Sequence, residues 1–301
     1  MNRTANELLL ETLIRIDGAY APSTIRAYKT SFEGFIQFCE NSEVGSLPAE
    51  PQEVARYIST LTASGLKSSS IRIIVAAISS IHKLNLLNDP TQRPTVKIEM
   101  RRMHRTLGRY SQQAFGITAP ILEKMLCATA DNLRGVRDRA LLLVAYDSMC
   151  RRSELVSLRV SDIHLNIGGD ITQMKIRLRK SKTDQELQGR WIFPTKRSAD
   201  AIRQWMEKAK LTDGYLFRGI NNAIDITDEL KSSQINRIYK RLAKNAKLLK
   251  EITDHISGHS MRVGAAQDLL KSGASMPLIM NKGRWSKTDT VMKYLEGANI
   301  N

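Results

Sequence analysis

Apolar residues in the N-terminal third of the chain recur at the spacing of amphipathic helices, every three to four residues. After Pro22 they form one stripe, which consists of Ile25, Tyr28, Phe32, Phe35 and Ile36. Similar stripes follow Pro51 and Ser68, and a break at 88–90 precedes a fourth over 94–105. Because short loops separate these stripes, the pattern predicts a bundle of four antiparallel helices.

The helical spacing lapses between residues 106 and 119, where Gly108 and Gly116 interrupt it. A stretch of this kind is typical of a linker between domains. The chain has 301 residues, which suits about two domains at roughly 150 residues each. We therefore predict an N-terminal helical domain over residues 1–105, a linker over 106–119 and a C-terminal domain over 120–301.

The C-terminal part returns to helical spacing over 121–130 and 135–149, and then its pattern changes. Two short runs, 174–179 and 188–193, are strand-like, and the first alternates apolar and basic residues; the basic segment between them indicates a hairpin loop. Helical spacing resumes over 199–294. The predicted fold class is mainly α with a small β-sheet, in two domains.

Composition is that of a folded protein, since 42% of the residues are hydrophobic and 25% are charged. No apolar run approaches the ~18 residues of a membrane span. Charged residues interrupt the leucines near the N-terminus, so no signal peptide is predicted. The cysteines Cys39, Cys127 and Cys150 are odd in number and lack metal-ligand spacing, which favours a reducing cytoplasm over a disulfide scaffold or a zinc module.

The charge balance gives the first indication of a partner. Lysine and arginine total 46 against 30 aspartate and glutamate residues, a net charge of +16. Such an excess is typical of a protein that binds a polyanion, with nucleic acid ahead of an anionic membrane. No helix pattern has the Lys-rich and Trp-rich faces of a membrane anchor. Aromatic residues are only 6% and form no stripe with basic ones, so duplex binding is favoured over single strands.

The usual signatures of metal, hydrolase and nucleotide chemistry are missing from the sequence, including H-E-x-x-H, G-x-S-x-G and the Walker loop. Asp225, Asp228 and Glu229 lie close together, but we interpret them as the acidic first turn of a helix rather than as a metal site. The sequence therefore gives no support to a metal-dependent nuclease, and no cofactor is predicted.

Chemistry is concentrated in the C-terminal domain. His259 and Arg262 lie three residues apart on one helix face, and Arg151 and Glu154 share that spacing. Arg152 competes with Arg151 for the same role, and each residue taken alone is more often structural. The ordered set is completed by a lysine in the hairpin loop (Lys182, with Lys180 as its competitor), Trp285 and Tyr294.

This ordered set, Arg151, Lys182, His259-x-x-Arg262, Trp285 and Tyr294, resembles the catalytic constellation of the tyrosine site-specific recombinases, the phage integrase family. Residues 22–115 resemble the helical core-binding domain of that family. The resemblance implies an enzyme that clamps duplex DNA and cuts one strand at a time through a 3′-phosphotyrosine. It also implies a Holliday junction, a homotetramer on two inverted-repeat sites, and no need for a metal, ATP or another cofactor.

Roles for the site residues follow from the resemblance and suit their chemistry. Tyr294 would be the nucleophile, because a phenol can form a reversible phosphotyrosine. Arg151 and Arg262 would grip the non-bridging phosphate oxygens. Lys182 would protonate the leaving 5′ oxygen. The remaining three would support these groups: His259 and Trp285 by hydrogen bonds to the phosphate, and Glu154 by holding Arg151 or His259.

Two regions are predicted to contact DNA. Helix starts near residues 23 and 68 carry polar and basic side chains beside backbone N–H groups that favour phosphate, namely Ser23, Thr24, Arg26, Lys29, Lys67, Ser69 and Arg72. The basic helix expected over 232–250 resembles the family's major-groove helix, with Gln234 and Asn236 as candidates for base readout and Arg237 and Arg241 for the backbone. The alternative for each is a solvated basic face.

Other functions stay open at this point. A type IB topoisomerase-like enzyme or a telomere resolvase would share the constellation, and a catalytically idle DNA-binding regulator would share the fold. Only seven residues follow Tyr294, so we expect the C-terminal helix with which such recombinases dock onto a neighbouring subunit to be absent or very short. We expect a cytoplasmic protein that is associated with the nucleoid when bound to DNA.

Overall fold

The computed structural model describes residues 4–109, 113–165, 174–179, 189–222 and 225–296. The chain divides into two compact units, residues 1–112 and 113–301, and the division falls within the predicted linker. Both units are mainly helical, and the second contains a small sheet. The predicted fold class is confirmed.

Five α-helices are described in the N-terminal unit: α1 (Ala5–Arg15), α2 (Pro22–Glu40), α3 (Pro51–Ala63), α4 (Ser68–Leu84) and α5 (Pro94–Leu107). Proline begins α2, α3 and α5, where its missing N–H costs no helical hydrogen bond. Helix α2 packs against α4, and α3 against α5. Their shared core is aromatic and aliphatic, and includes Phe32, Phe35, Ile58, Ile78 and Ile81.

Helix α1 was not predicted from the sequence. Its first turn is fixed by a capping box in which Thr4 and Glu7 exchange side-chain and backbone hydrogen bonds. Leu9 and Leu13 enter the core, whereas Leu10 and Ile14 are exposed. The apolar residues therefore occupy both faces of α1, so no one-sided stripe marks the helix in the sequence.

The C-terminal unit begins with an extended segment that is packed into it. Phe115 N–H donates to the carbonyl of His255 at 3.0 Å, and Ile117 N–H donates to that of Ser260 at 2.9 Å. Gly264 faces this segment so closely that an added methyl group would lie 1.9 Å from the Ile117 carbonyl oxygen. The second half of the predicted linker is thus a fixed part of the C-terminal unit.

Nine further helices are described in the C-terminal unit. In chain order they are α6 (Ala119–Cys127), α7 (Leu133–Ser148), α8 (Arg152–Ser157), α9 (Lys196–Lys208), α10 (Ser232–Asn245), α11 (Lys250–His255), α12 (Ser260–Lys271), α13 (Met276–Gly283) and α14 (Thr288–Leu295). Helix α7 is buried along most of its length and packs against α9 and α12. It forms the centre of this unit.

The sheet has three antiparallel strands in the order β1 (Ile163–His164), β2 (Lys175–Leu178) and β3 (Arg190–Ile192). Ile176 pairs with Ile163 on one side and Ile192 on the other. The predicted hairpin corresponds to β2 and β3, and its basic loop, 180–188, lies outside the described residues. Strand β1 was not predicted, because two residues are too few to show an alternating pattern.

The acidic cluster does not form the first turn of α10. That helix begins at Ser232, after Asp225, Asp228 and Glu229, and the Asp225 backbone N–H is bonded to the side chain of Asn221 at 2.9 Å. Our helix-cap interpretation of these acids was therefore wrong. Among the described residues no group of three or more metal-ligating side chains is found.

None of the helices in the described part of the chain has the length and apolar character needed to cross a membrane. The three cysteines are free thiols, with Cys39 and Cys150 buried and Cys127 exposed.

Candidate active site

The C-terminus of α7 is the frame of the site. Met149 follows the helix in the left-handed conformation, with φ of 50°, and so turns the chain toward α8. Its carbonyl oxygen accepts hydrogen bonds from Arg262 Nη1 at 3.0 Å and from Arg284 Nη2 at 3.1 Å. Carbonyls at a helix C-terminus carry partial negative charge, so this end of α7 attracts the two guanidinium groups.

Arg151 is fixed by Glu154 at the start of α8. Its backbone N–H donates to Glu154 Oε2 at 2.9 Å, and its Nη1 donates to Oε1 at 2.6 Å. Glu154 is buried, whereas part of the Arg151 side chain stays open to solvent. The neighbouring Arg152 is exposed and makes neither contact. The carboxylate thus orients Arg151 rather than its competitor.

Arg262 lies in the first turn of α12 and is only 2% exposed. Besides its bond to Met149, its guanidinium stacks 4.2 Å from the centre of the Trp285 ring. Burial, with repulsion from Arg151 and Arg284, lowers the pKa of Arg262 to about 10. It therefore stays charged at neutral pH. Its Nη2 is buried and has no hydrogen-bond partner among the described residues.

His259 precedes α12 and lies on the open side of this cluster, where its side chain is exposed. Partial burial of the ring, followed by repulsion from Arg262, Arg152 and Arg151, lowers the pKa of His259 below its ordinary value of 6.5. The imidazole is therefore neutral at pH 7. The hydrogen bonds of Glu154 go to arginines, and none to His259 is found in the described part of the chain.

Trp285 and Tyr294 complete the described cluster. Their ring centres are 5.6 Å apart, so the Trp285 indole contacts both the Arg262 guanidinium and the Tyr294 ring. Tyr294 is half-buried in α14, and its carbonyl accepts a hydrogen bond from Gln267 at 3.2 Å. Gly283 lets the indole fold back, since a methyl group there would lie 1.9 Å from the Trp285 ring.

Lys182 and its competitor Lys180 lie outside the described residues. The strand that follows their loop contacts α13, the helix that precedes Trp285. Arg190, the first residue of β3, donates from Nη1 to Asn281 Oδ1 of α13 at 3.3 Å.

Family models match both units of the chain. Residues 117–299 match the phage integrase family, and residues 8–86 match the N-terminal SAM-like domain of phage integrases. The chain belongs to the phage integrase family.

Curated members of the family resemble the chain over nearly its whole length. Recombinase cre of Escherichia phage P1 is 25% identical, covering 95% of this chain and 87% of its own. An integrase/recombinase xerD homolog of Selenomonas ruminantium is 28% identical, covering 97% and 87%. As a member of the same family, the chain is an enzyme of the tyrosine recombinase kind.

Solved structures show the same fold. The integrase of transposon Tn1549, in complex with transposon right end DNA, matches with a TM-score of 0.67 at 15% identity, covering 97% of this chain and 94% of that one. The XerH recombinase bound to a palindromic difH substrate matches with a TM-score of 0.67 at 16% identity, covering 91% and 76%. At these identities the likeness establishes the fold alone.

The sequence did not predict one residue of the cluster, Arg284. It lies between Gly283 and Trp285, where a basic residue after a helix looks like an ordinary solvent-exposed cap. The structure instead buries it to 8% exposure beside Glu154. No signal in the local sequence distinguishes these two cases.

The residues predicted to contact DNA in the N-terminal unit are mostly on its surface. Thr24 is half-buried, and the exposed members are Ser23, Arg26, Lys29, Lys67, Ser69 and Arg72. Lys29 also faces Glu33, 3.9 Å away. These side chains are placed where a phosphate could reach them, and their role in DNA binding stays a prediction.

The four predicted contacts on α10 have different surroundings. Arg237 is exposed, whereas Arg241 is paired with the buried carboxylate of Asp138, which gives it a role within the unit. Gln234 accepts a hydrogen bond from the Lys231 backbone at 2.9 Å and so caps the helix. Asn236 is half-buried, and its Oδ1 has no partner among the described residues.

Proposed function

We propose that this protein is a site-specific DNA recombinase that cuts and rejoins duplex DNA through a 3′-phosphotyrosine at Tyr294. The observation that carries the proposal is Arg262 Nη2, which is buried and has no partner among the described residues. Arg262 lies beside Arg151, and its guanidinium stacks on the Trp285 ring, which in turn contacts Tyr294. A buried donor without an acceptor is costly. A phosphate oxygen would relieve that cost.

The chemistry assigns each group one task. The Tyr294 phenol gives up its proton to solvent, its oxygen forms a bond to the scissile phosphorus, and the bond from phosphorus to the 5′ oxygen breaks. Lys182 supplies the proton that the leaving 5′ oxygen takes up. Arg151 and Arg262 stabilise the charge on the non-bridging oxygens, a task that metal-dependent nucleases give to their ions. His259 and Trp285 would add hydrogen bonds to those oxygens.

The phosphotyrosine conserves the energy of the broken bond, so the 5′-hydroxyl of a second duplex can reverse the reaction. Exchange of one strand at a time would then pass through a Holliday junction in a homotetramer on two inverted-repeat sites. The solved XerH relative is bound to a palindromic substrate, which is the symmetry that inverted repeats provide. The net charge of +16 supports a duplex DNA partner.

Replacing Tyr294 with Phe removes the attacking oxygen and keeps the ring contact with Trp285. The substrate is a nicked duplex that carries a binding site selected from random DNA, in buffer with excess EDTA. We expect Tyr294→Phe to bind this duplex normally and to form no covalent adduct on a denaturing gel. The control is Tyr215→Phe, because the Tyr215 ring packs against Arg159 and its hydroxyl makes no hydrogen bond within the described part of the chain; it should form the adduct as the wild type does.

The outcomes separate the alternatives. An adduct with Tyr294→Phe would mean that another residue is the nucleophile. Tight binding without any wild-type adduct would indicate a DNA-binding regulator. An adduct followed by relaxation of supercoils without strand exchange would indicate a topoisomerase-like enzyme. Loss of the adduct in EDTA with rescue by Mg²⁺ would overturn the metal-independent mechanism.

A further inference from the structure

Arg284 adopts a backbone conformation that disfavours its residue type. It follows α13 with φ of 56° and ψ of 47°, in the left-handed region. Glycine adopts this region without the steric clash that a Cβ introduces. The backbone N–H of Arg284 caps α13 by bonding to the Asn281 carbonyl at 3.1 Å. A glycine would make this cap equally well, so the cap does not account for the arginine.

The side chain of Arg284 bonds to the groups that hold the two phosphate-binding arginines. Its Nη2 donates to Glu154 Oε2 at 3.2 Å, and that carboxylate holds Arg151. The same Nη2 donates to the Met149 carbonyl at 3.1 Å, which also holds Arg262.

A further hydrogen bond anchors the Arg284 guanidinium to α7. Arg284 Nη1 donates to the carbonyl of Ser148 at 2.9 Å. The planar guanidinium therefore spans the end of α7 and the start of α8 at once. A lysine, with its single ammonium group, could not satisfy the three acceptors in this fixed geometry.

We propose that Arg284 is a positioning residue for DNA cleavage, which sets Arg151 through Glu154 and Arg262 through the Met149 carbonyl. The inference rests on the proposed function, since it concerns the same phosphate site. The cluster contains three guanidinium groups and one carboxylate, so its positive charge exceeds its negative charge until an anion enters. Arg284 adds to this repulsion, but it fixes the carboxylate and the carbonyl that hold the other two arginines in place.

The experiment compares two scissile groups in single-turnover adduct formation. One nicked duplex has a normal phosphodiester, and the other has a neutral methylphosphonate at the same position. The methylphosphonate lacks one non-bridging oxygen and its charge, so its cleavage depends less on where the arginines lie. A general folding defect would slow both substrates equally, whereas a positioning defect would slow mainly the phosphodiester.

For Arg284→Gly we expect adduct formation on the phosphodiester to fall about 100-fold, as for a displaced catalytic group. On the methylphosphonate the loss should be under about 10-fold. The matched control is Lys210→Gly, because Lys210 is exposed, follows α9 and has φ of 51°. This change relieves the same backbone conformation away from the site, and both rates should stay at the wild-type level.

A second variant keeps the test decisive if Arg284→Gly folds poorly. Arg284→Lys retains the charge and the backbone conformation but loses the planar guanidinium with its two donor nitrogens. It should show the same selective loss on the phosphodiester. Full activity of Arg284→Lys, or equal losses of Arg284→Lys on both substrates, would overturn the positioning role.

A double-mutant cycle with Glu154→Gln tests the route through Glu154. If Arg284 acts through that carboxylate, the double variant should be about as slow as the slower single variant. Multiplicative losses would overturn this route. Failure of the wild type to form an adduct would instead overturn the proposed function, whereas a normal wild type with an unaffected Arg284→Gly would overturn this inference alone.

Discussion

At the scale of single residues, the site places several guanidinium groups around a few shared hydrogen-bond acceptors. Arg151, Arg262 and Arg284 are held by one carboxylate, Glu154, and by the carbonyls that end α7. Carbonyl dipoles orient a cation without neutralising it. In the reaction we propose, this excess positive charge is available to the transition state, where charge develops on the phosphate oxygens.

The residue-scale prediction concerns the proton donor. An alkoxide leaves poorly, so if Lys182 protonates the 5′ oxygen, Lys182→Ala should slow cleavage by about 10²–10⁴-fold. The defect should largely vanish on a substrate with sulfur at the bridging 5′ position, because a thiolate leaves without a proton. The measurement is single-turnover adduct formation on both substrates.

Arg151→Ala is the comparison for this experiment. Its task is to stabilise charge on the non-bridging oxygens, so sulfur substitution at the leaving position should not restore its rate. Equal rescue of both variants, or no rescue of Lys182→Ala, would move the acid to another group, with Lys180 and His259 the next to test.

At the scale of elements, the helices of the N-terminal unit are joined by a buried histidine. His82 of α4 accepts a hydrogen bond from the Ala49 backbone N–H at 3.0 Å through Nε2. Nδ1 therefore carries the proton and donates to the Ile78 carbonyl at 2.8 Å. Protonation of Nε2 would break the first bond inside the core. This hydrogen bond between α4 and the segment before α3 forms only while His82 is neutral.

This link predicts that the N-terminal unit loses stability in mild acid. Burial lowers the pKa of His82, although the Ile78 bond and Asp89 oppose that change. In the unfolded chain the pKa is about 6.5, so below that pH the unfolded state takes up the proton more readily. The stabilisation is present above pH ~6.5 and is lost progressively as the pH falls from that value toward the lower pKa of folded His82.

Urea unfolding of the full chain between pH 8 and pH 5.5 measures this effect. We expect His82→Gln to lose much of the pH dependence of the free energy of unfolding, because glutamine accepts the Ala49 bond without titrating. His104→Gln is the control, since His104 is half-exposed and bonded to Ser68; it should change the pH dependence less. An unchanged dependence in His82→Gln would contradict the assignment.

At the scale of the whole molecule, the net charge of +16 governs the encounter with DNA. A protein that neutralises ~6–10 phosphates releases their counterions, so its affinity should fall about 10³–10⁵-fold between 50 and 200 mM salt. Fluorescence anisotropy over a salt series gives the slope. A flat salt dependence would contradict a phosphate-based interface.

The same slope tests whether an individual basic residue contacts a phosphate. If Arg72 contacts a phosphate, Arg72→Ala should reduce the slope of log affinity against log salt by about one. Lys83→Ala is the matched control on α4, because the Lys83 ammonium is already paired with Asp89 at 3.0 Å. That variant should leave the slope unchanged.

Some structural features could be predicted from the sequence because they depend on neighbours in the chain. The stripes of α2, α3 and α4, and the prolines that begin two of them, are local patterns. Helix α1 was missed because its apolar residues lie on both faces, and β1 because it has two residues. For α1 the capping box of Thr4 and Glu7 is a local signal that the prediction did not use, whereas β1 depends on pairing with β2.

The sequence by itself determined the fold class, the basic character and the ordered set from Arg151 to Tyr294, since residue type, order and local spacing belong to the chain. Only the tertiary structure decided that Glu154 holds Arg151, that Arg262 is buried with an unpaired donor, and that Arg284 belongs to the site. The bonds that fix the last two join residues more than a hundred positions apart. No local spacing encodes such contacts, because they arise only when α7, α12 and α13 have packed together.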